Sequence, residues 1–366
     1  MTITEEQVID ALRNVIEPDL KKDLITLNMI RDIRIDDKKV SFSVVLTTPA
    51  CPLKALIERA CVNAIIHFVD ESAIVTVNMT SDVTSQRKDN QELLPGVKNI
   101  IAVASGKGGV GKSTIATNLA VALAMDGAKV GLVDADIYGP SAPLMFGLEH
   151  ERLAVHEQNG KAMMEPIMKY GVKVLSIGFM VDPSKAIAWR GPMASRALTQ
   201  LFSDGLWGDL DYMIIDLPPG TGDIHLSLVS TVPVTGAVMV TTPQQVSLAD
   251  AIKGISLFQM EAVNVPILGL VENMAYFTPA ELPNNKYYIF GQNGGKNLAE
   301  KLNIKLLGQI PIVQSICEGG DSGRPVVLDE GTPSNIAFME LARNVAQQIA
   351  IRNAKLEPTK ILQPNN

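Results

Sequence analysis

The chain has 366 residues, enough for about two domains at roughly 150 residues each. Hydrophobic residues make up 46% and charged residues 19%, below the ~25% of ordinary soluble chains, which points to large buried sheets and excludes extensive disorder. A formal charge of −7, from 32 Lys and Arg against 39 Asp and Glu, excludes attachment to nucleic acid through bulk positive charge, and no nucleic-acid partner is expected. The longest charge-free run, Ile224 to Ala249, is interrupted by Pro233, Gly236 and Pro243. A membrane span needs ~20 unbroken apolar residues, so no membrane partner is expected either. Met-Thr-Ile-Thr-Glu-Glu at the start carries no basic stretch ahead of an apolar one, and three cysteines make no paired framework. Both features fit a cytoplasmic location.

In chain order, Thr4-Glu5-Glu6-Gln7 forms a capping box ahead of a helical face made by Val8, Ile9, Leu12, Val15 and Ile16. A polar turn at Asp36 to Lys39 leads into a strand in which Val40, Phe42, Val44 and Leu46 alternate. Leu53, Leu56, Ile57, Ala60, Cys61, Ala64, Ile65 and Phe68 mark a second amphipathic helix, and Ile74, Val75 and Val77 a closing strand. Residues 1–80 therefore read as a small α+β domain and the polar residues 81–98 as a linker. From Asn99 onward, apolar strands at Ile100–Ala104, Val130–Val133, Val172–Ile177, Met213–Ile215, Ala237–Val240 and Ile267–Val271 alternate with helices. Those helices include Lys112–Met125, Met193–Phe202 and Ser247–Gln259. Near-continuous apolar strands separated by helices predict an α/β domain over 99–354, with a mostly parallel sheet covered on both faces. Asn335–Arg352 reads as its last helix and 355–366 as a flexible tail.

Ser105-Gly106-Lys107-Gly108-Gly109-Val110-Gly111-Lys112-Ser113-Thr114 contains G-x-x-x-x-G-K-[ST], placed after a strand and at the start of a helix as that motif requires. Glycines let the backbone wrap phosphates, and amides at a helix N-terminus face their negative charge. Lys112 is placed to contact the β- and γ-phosphates and the Ser113 hydroxyl to bind Mg²⁺. A P-loop nucleotide site is expected. Lys107, a second lysine inside the loop, is either a solvated charge or reaches the phosphates held by a second subunit, as an arginine finger does.

That extra lysine resembles the deviant Walker A ATPases, the group of MinD, ParA and nitrogenase iron protein, and the resemblance implies an ATP-bridged homodimer. Asp134 and Asp136, in Val133-Asp134-Ala135-Asp136, end one strand, and Asp216, in Met213-Ile214-Ile215-Asp216, ends another. By resemblance Asp134 serves Mg²⁺ through water, Asp136 orients the attacking water, and Asp216 is the Walker B carboxylate. Leu217 to Asp223 then resembles a switch that senses the γ-phosphate, and Asn273 a hydrogen-bonding partner of adenine. Carboxylates after strands also serve as helix caps, and an asparagine there also serves as a turn residue.

The likeness narrows at Val133 through Ser141, at Trp189-Arg190-Gly191-Pro192-Met193 and at Asp216 through Asp223, which resemble the Mrp/ApbC-type iron–sulfur cluster carriers. Glu17-Pro18-Asp19 and Thr47-Thr48-Pro49-Ala50-Cys51-Pro52 resemble the small domain of iron–sulfur assembly factors. The resemblance implies an ATP hydrolase with Mg²⁺ and an iron–sulfur cluster, whose partners are its own second copy, apo iron–sulfur proteins and assembly factors. The family's C-x-x-C pair is missing: Met274 to Pro283 holds no cysteine. Two alternatives follow, a carrier with relocated cluster ligands or an ATP-switched adaptor without a cluster; a MinD- or ParA-like spatial regulator is a third.

For relocated ligands the candidates are Cys51 and Cys317. Pro52 as a first helical residue would make Cys51 the N-cap, where the helix dipole favours a thiolate, or simply a cap. Cys317, in the turn-rich Ser315 to Asp321, is a lone ligand or an ordinary loop thiol, and Cys61 a buried small hydrophobe. His67, His150, His156 and His225 have no metal-ligand spacing.

Overall fold

The computed structural model describes residues 3–86, 93–158, 160–180, 191–279, 281–282 and 285–357. These fall into two compact units, one within Met1–Thr84 and Ala350–Leu356, the other within Ser85–Ile349.

The first unit opens with helix α1 (Glu5–Leu12), whose N-terminus is closed by the reciprocal Thr4–Gln7 capping box. The helix stops short of Val15 and Ile16, which the apolar spacing had placed on its face. Asn14 Nδ2 donates to the Asp10 and Ala11 carbonyls, each at 3.1 Å, and so satisfies acceptors left open at the helix end. Ile16 instead begins the short pair β1 (Ile16–Glu17) and β2 (Lys22–Asp23) and is exposed. Strands β3 (Ile30–Asp36), β4 (Lys39–Leu46) and β5 (Ile74–Ser81) make a three-stranded sheet in that order, β3–β4 antiparallel and β4–β5 parallel, with α2 (Lys54–Phe68) as the crossover. Val40, Phe42, Val44 and Leu46 bury one face of β4 against Ile57, Cys61 and Ile65 of α2 and Val8 and Leu12 of α1. Asp82 N–H donates to Leu46 O, and Asn353 Nδ2 to Thr84 O. Residues 81–84 and 350–354, expected in the linker and in the second domain, thus belong to this unit.

In the second unit, among the described residues, an eight-stranded sheet runs in the order β10-β11-β7-β12-β6-β13-β14-β15. Its strands are β6 (Val97–Ser105), β7 (Val130–Asp134), β10 (Ile167–Lys169), β11 (Val172–Ser176), β12 (Leu210–Asp216), β13 (Gly236–Thr241), β14 (Ile267–Glu272) and β15 (Leu306–Gln309). All pairs are parallel except β10–β11 at one edge. The helices are α3 (Lys112–Met125), α4 (Ala142–Met145), α5 (Gly191–Ser203), α6 (Asp223–Thr231), α7 (Gln245–Gln259), α8 (Gly294–Lys301), α9 (Gln314–Asp321) and α10 (Pro333–Lys355), the last only as far as Ile349, since its residues from Ala350 belong to the first unit. Strands β7, β12 and β13 are buried almost throughout, as a parallel sheet covered on both faces demands. Helix α3 is buried continuously from Ile115 to Leu123, so the phosphate-binding turn before it rests on a rigid element.

The hairpin β8 (Val155–Gln158) and β9 (Lys161–Met164) carried no sequence signal, because all four residues of β8 are exposed and nothing selects an apolar alternation. Trp189 and Arg190, Pro283 and the tail beyond Glu357 lie outside the described residues. Among the described residues no helix is long and apolar enough to cross a membrane.

Candidate nucleotide site

The chain leaves β6 to enter β7 on one side and later returns to β13 on the other, so a crevice opens at the carboxyl ends of the central strands, where α/β sheets bind ligands. Ser105, Asp134, Asp216 and Glu272 end β6, β7, β12 and β14 along that edge, and Asn273 follows directly. All five are buried.

The loop from Gly106 to Gly111 is braced on both flanks. A Cβ on Gly106 would lie 2.1 Å from the Asp250 carbonyl oxygen of α7, so only glycine fits there. Gly111 has φ +81° and a would-be Cβ 2.2 Å from Asn273 Nδ2. Ser105 Oγ donates to Lys107 O at 2.9 Å, and Gly220 N–H of the switch-like segment donates to Ser105 O at 2.9 Å. A cleft of about 250 Å³ lies over the loop, lined among others by Lys107, Gly109, Lys112, Thr114, Asp136 and Pro219.

Lys112 turns inward. Its Nζ donates to Asp216 Oδ1 at 2.5 Å and to Ser113 Oγ at 3.1 Å, with Asp136 Oδ2 at 3.8 Å. Asp134 is fully buried and accepts three hydrogen bonds: Asp136 N–H on Oδ1, and Ala142 N–H and Ser176 Oγ on Oδ2, at 3.2, 3.0 and 2.9 Å. Burial first, and then the Asp216 charge, push its pKa up to about 7. Three of its roughly four acceptor positions are occupied, so Asp134 organises the loop between β7 and α4 rather than facing the cleft. Burial also raises the Asp136 pKa, against the pull of Lys112, and Asp136 Oδ1 is buried with no hydrogen-bond partner among the described residues.

A cation fits this place: one ammonium already sits among two carboxylates and a hydroxyl, and Asp136 offers an unused buried oxygen. Those are hard oxygen donors of the kind Mg²⁺ prefers. Lys107 is among the residues that line the cleft, and among the described residues its ammonium makes no ion pair. Spacing arguments missed Ser176, which reaches Asp134 from β11, 42 residues away. They also passed over His225, buried on α6 with its ring centroid 6.3 Å from that of Phe258, where burial lowers its pKa.

The cysteines are not brought together within either unit. Cys51 is not an N-cap: Leu53 holds that position and α2 begins at Lys54. The thiol is half-buried, and burial, helped by Glu17 and Asp19, raises its pKa, the opposite of an activated thiolate. Cys317 lies on α9, not in a loop, exposed and 3.7 Å from Asp321 Oδ2. The glycines that suggested a turn serve packing instead, since a Cβ on Gly319 would meet Arg324 O at 2.7 Å. Cys61 is buried, its pKa pushed up to about 12. Among the described residues no group of three or more His, Cys, Asp or Glu could hold a metal ion. Where the C-x-x-C would stand, Phe277 and Tyr287 exchange backbone hydrogen bonds of 2.8 Å, and the Lys286 ammonium lies 4.0 Å from the Tyr276 ring centroid.

Residues 96–348 match the family described as NUBPL iron-transfer P-loop NTPase, and residues 5–79 the family described as iron–sulfur cluster assembly protein. An iron–sulfur cluster carrier protein of Synechocystis sp. is 45% identical over 351 residues, covering 95% of this chain and 99% of its own. One from Escherichia coli K12 is 43% identical over 343 residues, covering 93% of this chain and 91% of its own. Among solved structures, a nucleotide-binding protein of Archaeoglobus fulgidus in complex with ADP is similar with a TM-score of 0.57 and 38% identity, over 67% of this chain and 93% of that one.

Proposed function

The chain belongs to the iron-transfer P-loop NTPase family that includes the bacterial iron–sulfur cluster carrier proteins, and we propose that it hydrolyses ATP as a homodimer while delivering iron–sulfur clusters to apoproteins. The observation that carries the reading is the convergence of Lys112, Ser113, Asp136 and Asp216 at the carboxyl edge of the sheet, beside the glycine loop. In the reading, loop amides of residues 106–114 hold the phosphates and ATP draws Lys112 off Asp216 onto the β- and γ-phosphates. Ser113 and Asp216 would hold Mg²⁺, which would neutralise phosphate charge; Asp134 acts at one remove by fixing the loop that carries Asp136. Asp136 orients a water whose oxygen bonds to the γ-phosphorus as the bond to the ADP oxygen breaks. ADP leaves with that electron pair, and a proton passes to solvent. Lys107 of each subunit stabilises the charge on the other's γ-phosphate, so chemistry waits for closure. Asn273 contributes to holding adenine.

A second reading, an ATP-switched adaptor that docks assembly partners and carries no cluster, is favoured by one observation: the cysteine-free stretch from Met274 to Leu282. Iron–sulfur clusters are usually held by four thiolates. One experiment separates the readings: iron and acid-labile sulfide per dimer after anaerobic reconstitution, for wild type, Cys51→Ser and Cys317→Ser, with ATP turnover measured on the same samples. Stoichiometric cluster lost on substitution supports the carrier with cysteine ligands. No cluster with turnover intact supports the adaptor, and no turnover at all removes the ATPase.

A further inference from the structure

Asn273 is expected to touch the base, yet its side chain is engaged elsewhere. Its Nδ2 donates to the Val110 carbonyl at 2.8 Å, a bond between residues 163 positions apart. Val110 is buried in the turn of the phosphate loop, directly before Gly111. The strut has fixed footings: Asn273 N–H donates to Thr241 O at 2.8 Å, and Ala275 N–H to Ile310 O at 2.9 Å. The end of β14 is thereby tied to β13 on one side and to the residue after β15 on the other. Asn273 itself is only 6% exposed. The contact also dictates the loop sequence, because a side chain at residue 111 would have to occupy the space of the Asn273 amide, 2.2 Å from the would-be Cβ.

We propose that Asn273 is a positioning residue for the phosphates: its amide holds the Val110 carbonyl back and so presets the loop amides before any nucleotide arrives. The proposal rests on the nucleotide reading above but assigns Asn273 a task independent of the base. Removing the donor leaves a buried carbonyl unpaired and frees the turn to rotate. Phosphate affinity then falls even for a ligand that has no base.

Inorganic tripolyphosphate with Mg²⁺ is that ligand. Titration calorimetry of full-length wild type, Asn273→Asp and Asn273→Ser against ATP and against tripolyphosphate is the test. The strut predicts that both ligands weaken together in both variants, by roughly tenfold, the size set by one buried unpaired acceptor. ATP weakened with tripolyphosphate unchanged would overturn it and leave a base reader only. Amide hydrogen exchange without ligand is the second measurement. The strut predicts faster exchange confined to Val110 through Ser113 in both variants, and unchanged exchange there overturns it. If wild type binds neither ligand the nucleotide reading falls, and exchange in the ligand-free protein still decides on the strut.

Discussion

Lys112 and Asp216 form a buried ion pair at 2.5 Å, their side chains 6% and 3% exposed, between the start of α3 and the end of β12. The pair closes the site electrostatically: Asp134 and Asp216 are neighbouring buried carboxylates, and the ammonium supplies the opposing charge. Breaking a buried pair from one side costs about 3–5 kcal/mol. Lys112→Ala is expected to lose about 3 kcal/mol of stability without nucleotide, and ATP affinity as well. Urea unfolding of the ligand-free variant checks it, and a midpoint equal to wild type would show that the pair contributes nothing.

Asp134 sets a pH dependence. Its folded pKa, pushed up to about 7, lies above the ~4 of an unfolded aspartate, so the folded state holds the extra proton between those values. Its contribution is fully present below about pH 4 and is lost as pH rises through about 7. Metal-free wild type is expected to lose stability across that window, and Asp134→Asn to show a flatter profile. Parallel profiles for the two proteins would place the titration elsewhere.

Gly106 has no room to grow. Its would-be Cβ meets backbone atoms of Asp250 and Ala251 at 2.1 to 2.6 Å, and backbone cannot swing aside as a side-chain tip does. Gly106→Ala is expected to lower stability by about 1–3 kcal/mol or more and to weaken nucleotide binding, because α7 or the loop must move. A thermal midpoint and ATP affinity equal to wild type would count against this packing.

Lys107 lies in the cleft without an ion pair among the described residues. Acting across a dimer, it is dispensable for binding and needed for turnover. Lys107→Ala is expected to retain ATP affinity within a few-fold while hydrolysis drops by roughly 10³-fold, the range of a trans-acting cation. Normal turnover by the variant would sink the trans-acting lysine.

The three thiols should label in a fixed order. Cys317 is exposed, Cys51 half-buried with a raised pKa, and Cys61 buried with a pKa near 12. Iodoacetamide followed by mass spectrometry is expected to modify Cys317 first, Cys51 slowly and Cys61 only after unfolding. Early labelling of Cys51 would indicate an activated thiolate after all.

Much of the fold was legible in the residues. Strands β6, β12, β13 and β14 each appeared as an apolar run, because both faces of a parallel sheet are buried and the composition must say so. The glycine loop was legible because phosphate-binding backbone needs specific residues at fixed spacing. By contrast β8 has no buried face and left no pattern. Cys317 was misplaced because Gly319 and Gly320 look like turn residues, whereas at Gly319 the absent side chain makes room for the Arg324 carbonyl inside a helix. Cys51 stands two residues ahead of the cap Leu53, because α2 begins at Lys54 rather than at Pro52.

The P-loop, the parallel α/β domain behind a small α+β one, and the chemical types gathered at the site follow from the residues alone, because each is encoded by neighbours in the chain. What those groups do to one another is set by the fold. Lys112 meets Asp216 across 104 positions, Asp134 meets Ser176 across 42, and Asn273 reaches Val110 across 163. No local propensity registers a contact at such separations. It exists because the sheet order brings distant strand ends to one edge, where burial makes every unpaired polar atom costly and so fixes which partner each one takes.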